Sequence, residues 1–124
     1  MNELTKHLLK LEEYSQKEIL HFIQLALQIK HDPDAYAQRL QGKTLLMLFA
    51  KPSLRTHISF DVGMNKLGGH SIYYDLNTSP LGKKESIKDG VRVMSRYVDI
   101  IMARLYEHAH MVQLALYSTV PVIN

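Results

Sequence analysis

The sequence predicts an α/β fold, a parallel sheet of about four strands with helices on both faces. Two observations carry this. Apolar runs of strand length alternate along the chain with stretches of helical period. The first such run, Thr44 to Phe49 (TLLMLF), is apolar without a break. Continuity of that kind suits a strand covered on both faces, as in a parallel sheet. Strands that alternate with helices then imply right-handed crossovers.

Each element has a local reason. Ser15-Gln16-Lys17-Glu18 is a capping box, a hydroxyl followed three residues later by a carboxylate. Ile19, Leu20, Phe22, Ile23, Ala26, Leu27 and Ile29 follow with helical spacing and predict a broad buried face. His31-Asp32-Pro33-Asp34 stops that helix, and a short helical piece is predicted over Ala35 to Leu40, ended by Gly42. After the strand at Thr44–Phe49, Ser53 caps a helix over Leu54 to Leu67, which Gly68-Gly69 ends. A second strand is predicted from His70 to Leu76, then a loop of turn formers from Asn77 to Lys84. Glu85 or Ser86 caps a helix to about Tyr97, Asp99 to Arg104 is a third strand, His108 to Tyr117 a helix, and Val120 to Ile123 the last strand.

With 124 residues, 46% of them apolar, the chain suits one domain over residues 1–124 with a single packed core. No apolar run approaches the roughly 18 residues of a membrane span. The N-terminal MNELTKHLLKLEE is too charged for the apolar region of a signal peptide. The absence of cysteine removes disulfide and thiolate chemistry, and a cytoplasmic address fits. A formal charge of +3 is compatible with a small anionic ligand, but there is no dense Lys/Arg block of the kind a nucleic-acid arm carries. The histidines show no metal-ligand pattern such as H-E-x-x-H; His21 and His70 read as structural residues, and His108 and His110 lie two apart near a helix start. No metal and no cofactor is expected. The chain stops on a bare strand at Asn124, which predicts a fragment.

In an open parallel sheet, ligands bind beyond the carboxyl ends of the strands. That rim collects Lys51, Pro52, Ser53, Leu54, Arg55 and Thr56 after the first strand, the 77–84 loop after the second, Arg104 after the third and Asn124 after the fourth. The first turn of a helix offers unpaired N–H groups and the positive end of its dipole. An anion is held there readily. Ser53 and Thr56 add hydroxyls, and Arg55 adds a planar fork suited to phosphate oxygens. Arg104 closes from another side. Taken singly, these residues have plainer readings: Ser53 as a helix cap, Pro52 as a setter of the entry angle, Arg104 as an ion-pair residue, and Lys83-Lys84 as a solvated loop tip. Their convergence on one rim points to a small phosphate-bearing ligand.

FAKPSLRTH, Phe49 to His57, resembles the carbamoyl-phosphate motif F-E-K-x-S-T-R-T-R of the aspartate/ornithine carbamoyltransferase family. LQGKTLLMLF, MNKLGGH, GKKESIKDGVRVMSRYVDIIMAR and VPVIN are similar to further segments of the same family, so the likeness runs along the whole chain. The resemblance implies the N-terminal, carbamoyl-phosphate-binding domain of a two-domain carbamoyltransferase that assembles as a homotrimer. It implies that Ser53, Leu54, Arg55 and Thr56 hold the phosphate, partly through backbone N–H groups, and that Arg104 contacts phosphate and carbamoyl oxygen. Arg55 and Arg104 are then the catalytic pair. The 78–84 loop, with Pro80 and Lys83, would reach the neighbouring subunit's site. GKKESIKD, and Leu105-Tyr106 after Arg104, look like the ornithine enzymes, so carbamoyl phosphate and ornithine are the expected substrates, with citrulline and phosphate as products. An aspartate-using relative, or a non-catalytic anion-binding module of the same fold, are the alternatives. A receiver-like domain fits less well, since Ala50-Lys51 stands where clustered acids would be needed.

The sequence departs from the family pattern at three positions of the motif and at one in the later loop. Ala50 stands where glutamate is usual, Leu54 replaces threonine, His57 replaces arginine, and Pro80 takes a position where relatives often carry a polar contact. Either the glutamate and arginine pair in relatives and both partners are lost here, or His57 faces away from the phosphate. The family's H-P-x-Q, S-M-G and H-C-L-P segments are missing, so the chain is expected to lack turnover alone.

Overall fold

The computed structural model describes residues 6–78 and 86–124. The Pro80 and Lys83 positions lie outside the described residues. Four strands, β1 (Thr44–Phe49), β2 (His70–Asp75), β3 (Ile100–Arg104) and β4 (Val122–Ile123), form one parallel sheet in the order β2-β1-β3-β4. The helices are α1 (Gln16–His31), α2 (Leu54–Lys66), α3 (Ile87–Met94) and α4 (His108–Tyr117). This is the predicted parallel α/β sheet with helices on both faces.

β1 is central, and its side chains divide between two layers. Leu45, Met47 and Phe49 pack with Met64 of α2 and Met102 of β3. Leu46 and Leu48 pack on the opposite face with Val91 of α3 and with Met111, Leu114 and Ala115 of α4. The uninterrupted apolar run is therefore explained by two covered faces. β2 is an edge strand, and Ile72, Tyr73 and Tyr74 remain about two-fifths exposed.

Several boundaries differ from the predicted ones. β2 stops at Asp75 because its carboxylate accepts from the Asn77 N–H (2.9 Å) and Thr78 Oγ1 donates to its carbonyl (3.1 Å), which turns Leu76–Thr78 into a 3-10 turn. Asp99 precedes β3 rather than opening it; its carboxylate accepts from the Thr44 N–H at 2.8 Å. β4 shrinks to Val122–Ile123, since Pro121 has no N–H and Ser118 draws Val120 into a turn through bonds of 3.1 and 2.7 Å. The piece expected over Ala35–Leu40 is a 3-10 turn over Pro33–Tyr36, with Pro33 at its start. α3 ends at Met94, before the predicted Tyr97, and Ser86 is its cap, accepting from the Asp89 N–H at 3.1 Å.

The capping box of α1 forms as expected, with Ser15 and Glu18 exchanging bonds of 3.1 Å. The buried face expected of α1 does not form. None of its residues is buried, and Leu20, Ile23 and Leu27 are 47, 52 and 60% exposed, because the helix packs chiefly on the Pro33–Tyr36 turn. His21 and His70 are exposed. The N-terminal segment adds something unforeseen. Leu8 bridges to Ile123 beside β4, and His7 Nδ1 accepts from the Val122 N–H at 2.9 Å.

Candidate anion-binding site

The chain leaves β1 for β2 on one side and returns through α3 to β3 on the other. Strand order reverses between β1 and β3, and a crevice opens at their carboxyl ends. Phe49 and Arg104 are register partners at those ends. One residue on, the Ala50 N–H donates to the Arg104 carbonyl at 2.9 Å. The loop that starts α2 is thus fastened directly beside Arg104.

Pro52 has no N–H, and Ser53 takes an extended N-cap conformation, φ −156° and ψ 107°. Its side chain does not cap the helix. The Ser53 hydroxyl donates to Thr56 Oγ1 at 3.0 Å, so the simple capping role is corrected. The first intrahelical bond runs from the His57 N–H to the Ser53 carbonyl, 3.0 Å. The N–H groups of Leu54, Arg55 and Thr56 precede it and are left for an outside acceptor. Ser53 and Thr56 are half-buried, whereas Leu54 and Arg55 are exposed. Among the described residues Arg55 has no carboxylate partner.

Arg104 is the least satisfied group of the site. It is half-buried, and its Nε is buried without a hydrogen-bond partner among the described residues. Leaving such a donor unpaired costs about 1–3 kcal/mol, more for a charged group. An oxyanion in the crevice would remove that cost. The ion-pair reading of Arg104 has no support among the described carboxylates.

Some rim residues are used otherwise. Asn124 Nδ2 donates to the Leu9 carbonyl at 3.1 Å and ties down the N-terminal segment. Asn77 Nδ2 donates to the Ala50 carbonyl at 3.1 Å, linking the segment after β2 to the α2 loop. That positioning contact was not foreseen; the Asp75–Asn77 turn signal was its only trace in the sequence.

The two unusual motif positions look in different directions. Ala50 lines a cavity of about 290 Å³ on the α3–α4 face, with Leu48, Asn77, Tyr106, Glu107 and His110. In this cavity wall His110 Nε2 lies 3.8 Å from a Glu107 carboxylate oxygen. His57 instead stacks on Tyr73, ring centroids 4.0 Å apart and planes at 18°, on the α2 face. In this chain Ala50 and His57 thus line different faces of the sheet.

Residues 6–124 match the family model for the aspartate/ornithine carbamoyltransferase carbamoyl-phosphate-binding domain. The chain is 49% identical over 119 residues to an ornithine carbamoyltransferase of Shewanella oneidensis, covering 96% of this chain and 40% of that protein. The structure of ornithine carbamoyltransferase from Pyrococcus furiosus superposes with a TM-score of 0.91 at 44% identity, over 100% of this chain and 41% of that one. The catalytic subunit of M. jannaschii aspartate transcarbamoylase gives 0.87 at 35% identity, over 97% of this chain and 39% of that one. The chain therefore spans about two-fifths of the length of the relatives it matches. Enzymes named for ornithine and for aspartate share this domain. Together with the sheet order and the motif at its carboxyl edge, the match over 6–124 means that the chain belongs to the aspartate/ornithine carbamoyltransferase family, of which it is the carbamoyl-phosphate-binding domain.

Proposed function

We propose that carbamoyl phosphate sits in the crevice between β1 and β3. Its phosphate is held by the N–H groups of Leu54, Arg55 and Thr56 and by the hydroxyls of Ser53 and Thr56. The Arg55 fork closes on the phosphate, and Arg104 bridges phosphate and carbamoyl oxygen. The observation that carries this is the buried Nε of Arg104, which has no hydrogen-bond partner among the described residues and sits on the strand end that pairs with Phe49.

In the whole enzyme, the neutral δ-amine of ornithine attacks the carbamoyl carbon. A C–N bond forms, the C–O bond to phosphate breaks, phosphate departs with the bonding pair, and the new ammonium loses a proton to give citrulline. The two guanidinium groups and the helix N–H donors stabilise charge growing on phosphate and on the carbonyl oxygen. Holding the two reactants in line supplies much of the rest. Ornithine is favoured over aspartate because GKKESIKD and Leu105-Tyr106 resemble the ornithine enzymes. A cytoplasmic homotrimer, with Pro80 and Lys83 of one subunit at the next subunit's site, completes the reading.

Calorimetry with carbamoyl phosphate and with inorganic phosphate tests the site. The domain is expected to bind carbamoyl phosphate more tightly than phosphate. Equal affinity for both would favour an anion-binding module without chemistry. Citrulline production by the full-length protein, with ornithine and aspartate compared as acceptors, tests the reaction. Sedimentation tests the trimer, and cell fractionation the compartment.

A further inference from the structure

The reading of the α2 loop as a phosphate cradle leaves open what holds that first turn in place. Its N-cap side chain makes no cap bond, and Pro52 contributes no donor. The local side-chain bond, Ser53 to Thr56, lies within the turn itself and cannot orient it on the sheet.

Besides the Ala50 and Asn77 bonds that fasten the loop before it, a set of ring contacts connects the turn to the body of the fold. His57 lies one residue past the cradle, and its N–H closes the turn on the Ser53 carbonyl at 3.0 Å. Its ring stacks on Tyr73 of β2, 4.0 Å between centroids at 18°. Tyr73 packs on Phe49 at 5.1 Å, and His57 itself lies 6.0 Å from Phe49. Phe49 is 1% exposed and is the register partner of Arg104. The three rings thus run from the helix start to the strand end beside Arg104.

We propose that His57 is a positioning residue for the anion site: its flat ring, clamped on Tyr73 and backed by Phe49, sets the orientation of the first-turn donors relative to Arg104. The inference rests on the cradle reading above. What position 57 must supply is a planar face. An imidazole supplies it here, and a guanidinium, also planar and able to lie on an aromatic ring, would supply it as well. The departure of His57 from the family motif then preserves a contact. Orientation matters because donors to an oxyanion act within a narrow distance range, and misplacement of about 1 Å is costly.

The test compares His57→Ala, His57→Leu, His57→Phe and His57→Arg in the 124-residue chain. Two quantities are read: the calorimetric affinity for carbamoyl phosphate, and amide relaxation order parameters at residues 54–57 without ligand. His57→Ala and His57→Leu are expected to weaken binding about three- to tenfold, the range that loss of one aromatic pair converts to. They should also lower order in the first turn. His57→Phe and His57→Arg should stay within about twofold of the parent in affinity and keep that order. Unchanged affinity and order in His57→Ala would overturn the proposal. So would loss in His57→Phe with retention in His57→Arg, which would assign the role to charge. If the parent chain does not bind carbamoyl phosphate, the cradle reading fails; the relaxation comparison then decides whether His57 orients the turn.

Discussion

Phe49 and Arg104 end neighbouring parallel strands as register partners, and the next residue, Ala50, donates its N–H to the Arg104 carbonyl at 2.9 Å. This relationship fastens the loop that opens α2 beside the backbone of Arg104. The Arg104 carbonyl is paired there, whereas its side-chain Nε is buried without a hydrogen-bond partner among the described residues. The fold carries a cost at this point that a bound oxyanion would relieve.

Replacing Arg104 should therefore separate stability from binding. Arg104→Gln is expected to leave the melting temperature unchanged or raise it, because it removes a half-buried guanidinium whose Nε has no hydrogen-bond partner among the described residues. Carbamoyl-phosphate affinity should fall by about 1.5–3 kcal/mol, the worth of a charge-assisted bond. Thermal melts and calorimetry on the same samples check both. A large drop in melting temperature would show that Arg104 is a structural ion-pair residue after all.

Ser15 and Ser53 both occupy N-caps, yet only Ser15 accepts from the helix, at 3.1 Å. Ser15→Ala should cost about 1 kcal/mol. Ser53→Ala should cost less than about half of that in stability, because no cap bond is lost. Its effect should appear in anion affinity. Chemical denaturation of the two variants gives the comparison directly.

His7 makes stability pH-dependent. Its Nδ1 accepts from the Val122 N–H, so the fold needs that nitrogen unprotonated. Burial, only partly opposed by the Glu13 charge, holds its pKa below the ordinary 6.5. Between that value and the lower folded one, the unfolded chain binds more protons, so stability rises with pH. The contribution is complete above about pH 6.5 and is lost as pH falls through the folded value. Melting temperatures across this window should slope upward in the parent chain, and this part of the slope should vanish in His7→Gln.

Two glycines with similar backbones should respond differently to alanine. Gly42 and Gly68 have φ of 79° and 85°. A Cβ at Gly42 would meet nothing within 4 Å, whereas at Gly68 it would lie 2.8 Å from the Ala37 carbonyl oxygen. Gly42→Ala should cost about 1–2 kcal/mol from the left-handed backbone alone. Gly68→Ala should cost more, because the backbone of the preceding turn must also move. Urea denaturation of both would show the difference.

Much of this protein was legible residue by residue. The alternation of elements, the Ser15 capping box, the doubly covered β1 and the start of α2 after Pro52 all follow from interactions spanning a few residues, and such interactions leave periods and spacings in the sequence. The strand ends were less legible, because Asp75, Asp99 and Ser118 spend their side chains on nearby or distant backbone groups. What no local pattern could convey is which distant groups meet. Thr44 takes its carboxylate from a residue 55 positions away, and His7 meets Val122 across 115. The same holds for Arg104 beside Ala50, for the placement of positions 50 and 57 on opposite faces, and for the uncovered stripe of α1. These depend on sheet order and register, which are set by packing the whole core rather than by any neighbouring residue.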